Sequence, residues 1–153
     1  MNIKSNNNTF NFSSSKEVEH TLEEVIDVVL KIEDYPKFLP WCKKAKIISH
    51  EEDKIIADLI ISFKGINVKY RSLITIQKDA SDVTIKTSSI EGPFKFLDSY
   101  WVLKKVAKEK TNIKFEIKFL LNSNILQKIM SKMMKHASNK ILLSFEKRLS
   151  NKA

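Results

Sequence analysis

One cysteine, three scattered histidines and a few carboxylates beside predicted strands are the residues of this 153-residue chain that could do acid–base, nucleophilic or metal chemistry. Cys42 is alone, so it forms neither an internal disulfide nor a thiolate cluster, and no His or Lys pattern beside it marks an activated nucleophile. A small buried thiol is its expected role. His20, His50 and His136 show no HExxH or comparable spacing, and no metal site is expected. Glu91, Asp98 and Glu116 are the carboxylates nearest the predicted strands, but alternation puts Asp98 and Glu116 on the wet face, so no acid and base are paired. The chain contains only two glycines, Gly65 and Gly92, both at turns, which excludes a Gly-rich phosphate cradle. Neither catalysis nor a resident cofactor is expected.

What the residues do favour is apolar contact. In Tyr35-Pro36-Lys37-Phe38-Leu39-Pro40-Trp41-Cys42, two prolines, three aromatics and a cysteine fit neither a regular helix nor an alternating strand. Each Pro fixes its own φ and biases Tyr35 or Leu39 toward extended conformations, predicting a rigid corner that ends the preceding helix and projects Phe38 and Trp41 sideways. Such a corner either closes a core or walls a cavity.

The formal net charge is +9, yet of 27 basic residues only Arg71 and Arg148 are arginine. Base readout leans on the arginine fork, so DNA is not an expected partner. Lysine suits phosphate or solvent, which leaves a solvated surface, ribosomal RNA or acidic lipid open. No apolar run approaches the roughly 20 residues that span a bilayer. With neither a secretory nor a transit segment at its start, the chain is expected in the cytoplasm, with peripheral contact to an anionic inner membrane left open.

The elements that must position these groups follow from periodicity. Residues 1–8 read as a loose segment and 9–150 as one domain. A first strand is expected over Thr9–Phe12 or Lys16–Glu19. Thr21 and Glu24 form a capping-box pattern ahead of a helix carrying Leu22, Val25, Ile26, Val29 and Leu30. The period then becomes two. Ile55, Ala57, Leu59, Ile61 and Phe63 share a face, and after a Lys64-Gly65 turn so do Ile66, Val68, Tyr70, Ile74 and Ile76. Further strands are expected over Val83–Ser89, Leu97–Val106 and Thr111–Leu121; in the second of these Leu97, Trp101 and Leu103 share one face. Antiparallel strands wet on one side are implied. From Asn124, read as an N-cap, to about Leu149 the helical period returns, with Leu126, Ile129, Met130, Met133, Ala137, Ile141, Leu142 and Phe145 as its stripe. The opposite side carries Lys128, Lys132, Lys135, Lys140, Lys147 and Arg148, so most of the chain's positive excess lies here. So long a stripe needs a broad surface, which a curved sheet supplies.

The run Asp34-Tyr35-Pro36-Lys37-Phe38-Leu39-Pro40-Trp41-Cys42-Lys43-Lys44, with Gly92-Pro93-Phe94-Lys95-Phe96-Leu97 and Trp101 downstream, resembles the coenzyme Q-binding and ribosome association toxin (RatA) family of the START-like, polyketide cyclase superfamily. The resemblance runs colinearly from about Val18 to Arg148, with Phe145 and Arg148 matching the family's closing Phe and Arg. It implies an α+β helix-grip fold, in which a curved antiparallel sheet wraps a long C-terminal helix around an elongated apolar cavity. Three positions depart from the pattern: Ser99 replaces a usual Gly and would narrow the cavity or straighten its strand, Leu120 replaces a usual acid, and the terminal Tyr-Gly is missing.

Three functions follow. The first is a non-enzymatic carrier or chaperone that holds ubiquinone or another isoprenoid lipid as ligand and supports respiration. The second is a bacterial toxin that binds the large ribosomal subunit and inhibits subunit association. The third is a polyketide cyclase-like enzyme. For the first, Phe38, Trp41, Phe63, Tyr70, Phe94, Trp101, Phe115, Phe119, Met130 and Met133 are expected around one apolar space, with the corner as its gate and Ala57 and Ala137 as small inward residues whose enlargement would fill it. For the second, or for an anionic membrane, Lys128, Lys132, Lys135 and Lys140 are the expected contact surface.

Overall fold

A computed structural model describes residues 8–152. The first strand, β1 (Phe10–Val18), joins into one element the two segments that read as alternatives, and its residues alternate in exposure. The expected loose segment lies outside the described residues except for Asn8, whose carbonyl accepts a hydrogen bond from Gln127 Nε2 at 2.7 Å.

Helix α1 (Leu22–Leu30) begins where the capping pattern places it. Glu24 N donates to Thr21 Oγ1 at 3.1 Å while Thr21 N donates to Glu24 Oε1 at 3.0 Å. Val25, Val28 and Val29 are its buried face. A 3₁₀ turn over Ile32–Asp34 then leads into a one-turn helix, α2 (Tyr35–Phe38).

Here the expectation for Tyr35 fails, because Tyr35 is helical, with φ −52° and ψ −42°. Pro36 sits in the first turn of α2, where its missing N–H has no helical partner to lose. Tyr35 is held from outside the turn by Val29, whose carbonyl accepts from its hydroxyl, and by Phe145, which its ring meets edge-on, as it does Phe38 within the turn. Leu39 behaves as its proline requires, with φ −109° and ψ 106°.

Seven strands form one antiparallel sheet in the order β1-β7-β6-β5-β4-β3-β2. The strand β2 (Cys42–Glu51) is absent from the sequence reading. Its register shifts at Cys42/Lys44 and Ile47/Ser49 break the period of two, so Cys42, Ala45 and Ile47 do not read as one face. In β3 (Lys54–Phe63), β4 (Ile66–Asp79), β5 (Asp82–Glu91), β6 (Phe94–Ala107) and β7 (Lys110–Leu121) the alternation holds and sends one set of side chains to the core. Outside, Arg71 grips the directly opposite Asp58 through two bonds of 2.7 and 3.1 Å, fixing the β3–β4 register.

The final helix, α3 (Asn124–Lys152), packs against β1, β3, β7, α1 and α2. Ser123 caps it in place of Asn124, its hydroxyl accepting from Leu126 N at 3.2 Å. Met130, Met133, Ala137, Ile141, Leu142 and Phe145 are buried as the stripe requires, together with Met134 and Leu149. Among the described residues no helix is long and apolar enough to cross a membrane.

Gly92, between β5 and β6, has φ +136°, and a Cβ there would stand 2.7 Å from Tyr70 Cβ. The Gly-Pro-Phe motif thus lets the chain pass directly over β4. Gly92→Ala is expected to lower unfolding stability by about 1–3 kcal/mol in denaturant titration, whereas Gly65→Ala, with open space around it, should lose less.

Candidate functional site

Trp101 on β6 is the centre of the apolar face. Its ring lies 4.7 Å from Phe115 on β7 and 4.6 Å from Phe145 on α3. Phe145 in turn meets Tyr35 at 5.5 Å and Phe38 at 5.1 Å, so sheet, proline segment and helix share one aromatic cluster. A second chain of rings runs from Tyr70 through Phe94 and Phe119 to Phe10. All of these rings except Phe38 and Phe10 border a cavity of about 140 Å³ between the sheet, α3 and the segment from Val29 to Cys42. An engineered apolar cavity of roughly 150 Å³ admits benzene, so this space holds about one ring.

Of the ten residues expected to surround it, seven do: Trp41, Tyr70, Phe94, Trp101, Phe115, Phe119 and Met130. The other three lie elsewhere. Phe38 packs on Phe145 with the Arg148 guanidinium 5.6 Å over its ring. Phe63, at the end of β3, carries Lys64 over its ring at 5.4 Å. Met133 is buried in the core, while its neighbour Met134 borders the cavity. Ala57 and Ala137 are also buried but do not line it.

Among the described residues no charged side chain lines the cavity. Burial pushes the Cys42 thiol up to about 11, a rise that its bond to the Lys44 carbonyl only partly offsets, and burial likewise raises the Tyr35 and Tyr70 hydroxyls. All three remain neutral at physiological pH. Asp98 accepts from Ser88 at 2.9 Å and Glu116 pairs with Lys114 at 3.4 Å, both away from the cavity. Among the described residues no three His, Cys, Asp or Glu side chains converge on a common point.

The lining has a polar part, Ser72, Thr87 and Ser99, of which the sequence reading placed only Ser99 at the cavity. The available signal was alternation, since Ser72 lies between the inward Tyr70 and Ile74, and Ser99 between Leu97 and Trp101. Ser99 thus enters the space that a glycine would leave open, and β6 pairs without a register shift at that position.

At the cavity's edge, Arg148 Nη2 lies 3.3 Å from Asp34 Oδ2, fastening the end of α3 to the proline segment. Lys37 approaches the same carboxylate at 3.2 Å. The hydrogen bond from Lys37, then the charge and hydrogen bond of Arg148, hold the Asp34 carboxyl below its ordinary value of 3.8. On the outer face of α3, Lys128, Lys132, Lys135 and Lys140 are all exposed.

A family model described as polyketide cyclase / dehydrase and lipid transport matches residues 18–146. The chain belongs to this family. A protein of Rickettsia prowazekii named ribosome association toxin RatA is 37% identical over 138 residues, covering 90% of this chain and 94% of that protein. The mitochondrial coenzyme Q-binding protein COQ10 of Drosophila melanogaster is 27% identical over 122 residues, 74% of this chain and 49% of that one. Among solved structures, the Zhui aromatase/cyclase from Streptomyces sp. R1128 superposes with a TM-score of 0.78 at 12% identity, covering 93% of this chain and 94% of the other. That likeness concerns the fold, and the START-like helix grip is what the sheet and α3 form.

Cavity and core are separable by mutation. Ser99→Leu should fill the cavity while the protein melts close to the wild-type temperature. Ala57→Phe has no free space to enter and should cost about 1–3 kcal/mol, seen as a clear fall in melting temperature.

Proposed function

We propose that this protein binds ubiquinone or a related isoprenoid lipid through the cavity between the sheet and α3, as a non-enzymatic carrier or chaperone supporting respiration. The observation that carries this reading is an uncharged, aromatic-lined cavity held open in a chain whose family description includes lipid transport. Burial of apolar surface at roughly 25 cal/mol per Å² supplies the affinity. The similarity to a protein named for coenzyme Q binding supports the choice of ligand. That no described residue brings a charged side chain or an acid–base pair to the cavity wall supports a binding role over a cyclase-like one. The carrier would work in the cytoplasm, exchanging its lipid at the inner membrane. For a long chain to pass, the segment from Ile32 to Trp41 would swing outward after Arg148 released Asp34.

Protein expressed in a quinone-producing bacterium and extracted with organic solvent should yield ubiquinone or a polyprenyl lipid by mass spectrometry, and Ser99→Leu should yield far less. Repeated extraction of folded wild-type protein that yields no lipid would contradict the proposal.

A second reading has its own support in the similarity to RatA and the row of exposed lysines on α3: binding to the large ribosomal subunit with inhibition of subunit association. Changing Lys128, Lys132, Lys135 and Lys140 together to Glu should weaken co-sedimentation with ribosomal subunits by about tenfold or more, and added salt should mimic the change. Binding that is indifferent to both would return these lysines to solvation. Anionic vesicles run in parallel separate a ribosomal surface from a membrane one.

A further inference from the structure

The apolar lining of the cavity is interrupted at one place. Ser72 on β4, Thr87 on β5 and Ser99 on β6 all border it, and strand pairing brings them together. Thr87 lies directly opposite Ser99 on one side and Ile74 on the other, and Ile74 is one inward position along β4 from Ser72. Tyr70, the next inward residue of β4, borders the same space. Ser72, Ser99 and Tyr70 are only 4%, 7% and 9% exposed. Three adjacent strands therefore turn a row of hydroxyls toward one buried volume.

These hydroxyls are not used up by one another. Thr87 and Ser99 share a hydrogen bond, which engages one of their two protons. The Ser72 and Tyr70 hydroxyls have no hydrogen-bond partner among the described residues. A buried hydroxyl loses its bonds to water on folding, so natural proteins leave few of them unpaired. Several spare donors on one wall of a cavity call for an occupant that accepts them. That occupant is uncharged, since among the described residues no cation or anion lines the cavity to compensate for desolvating an ion. It is also small, because the volume holds about one ring.

We infer that Ser72, Thr87 and Ser99, with Tyr70 beside them, form a hydrogen-bonding subsite for a neutral, ring-sized head group bearing carbonyl or ether oxygens. The head group of the ligand occupies the cavity, and any long apolar chain lies outside this volume. The inference rests on the reading of the cavity as a ligand site, and it goes further in saying which end of the ligand the cavity reads and through which side chains.

Two probes of matched shape test it: duroquinone, with two carbonyl oxygens on a tetramethylated ring, and durene, the corresponding hydrocarbon. Binding of each to the full chain is measured by ligand-observed NMR or calorimetry, with wild type against the combined Ser72→Ala, Thr87→Val and Ser99→Ala variant. Wild type should prefer duroquinone. The variant should lose about tenfold or more of its duroquinone affinity while binding durene as well as or better than wild type. If both proteins take durene and the variant keeps its duroquinone affinity, the hydroxyls are satisfied by water and the subsite is wrong, although the cavity still binds. If folded wild type takes neither probe, the ligand-site reading fails as well. Should the combined variant not fold, Ser72→Ala alone, which removes no bond among the described residues, must still weaken duroquinone and spare durene.

Discussion

Phe145 is where the layers of this protein meet. On α3 it must be buried, and the surfaces available to it are the Trp101 ring of β6 on one side and the Tyr35 and Phe38 rings of α2 on the other. Edge-on and tilted ring contacts of this kind fix distance as well as adhesion, because the rings do not collapse into one another. Arg148, one turn further on, adds the bond to Asp34 and lies over Phe38. The proline run and the closing Phe and Arg, 114 residues apart between Asp34 and Arg148, are thus one physical unit. With this end of α3 fastened and the sheet bent by its bulges, sheet and helix do not close completely along their length. The space left over is the cavity.

Electrostatics divides the molecule in the same way. Inside, burial keeps Cys42, Tyr35 and Tyr70 un-ionised, and no described lining residue is charged. Outside, charge ties neighbouring elements together. Arg71 ties β3 to β4 through Asp58, and its bonds, then its charge, hold that carboxyl below the ordinary 3.8. Asp34 is depressed likewise. A carboxyl with a lowered folded pKa stabilises the fold above its unfolded value and ceases to do so as pH falls through the folded one, so both ties weaken only in acid below about 3.8. At neutral pH they are intact.

Much of this was legible in the chain. The capping box of α1, the even alternation of β7 and the stripe of α3 are local signals, and each produced the element it describes. Local reading failed where tertiary contacts decide. Bulges hid β2. The Phe145 ring and the Val29 carbonyl, from other segments, hold Tyr35 in a helical turn that its proline disfavours. For the cavity, sequence identified the aromatic walls through strand parity, yet it could not separate Met133 from Met134, which are adjacent on a helix and both buried. It missed Ser72 and Thr87, and read Ser99 only as a narrowing of the cavity, because a search for apolar side chains passes over small hydroxyls that only cross-strand register unites. The ribosomal and lipid readings divide along the same line: one rests on charges spread over an exposed helix face, the other on a volume that no linear motif encodes.

The chain has two tryptophans, Trp41 and Trp101, and both border the cavity, so their fluorescence reports directly on what enters it. Titration with a short-chain ubiquinone tests the central claim. A cavity that accepts the quinone predicts saturable quenching with one molecule bound per chain, abolished when Ser99→Leu fills the space. Quenching that rises linearly and equals that of free tryptophan at the same quinone concentration would contradict it.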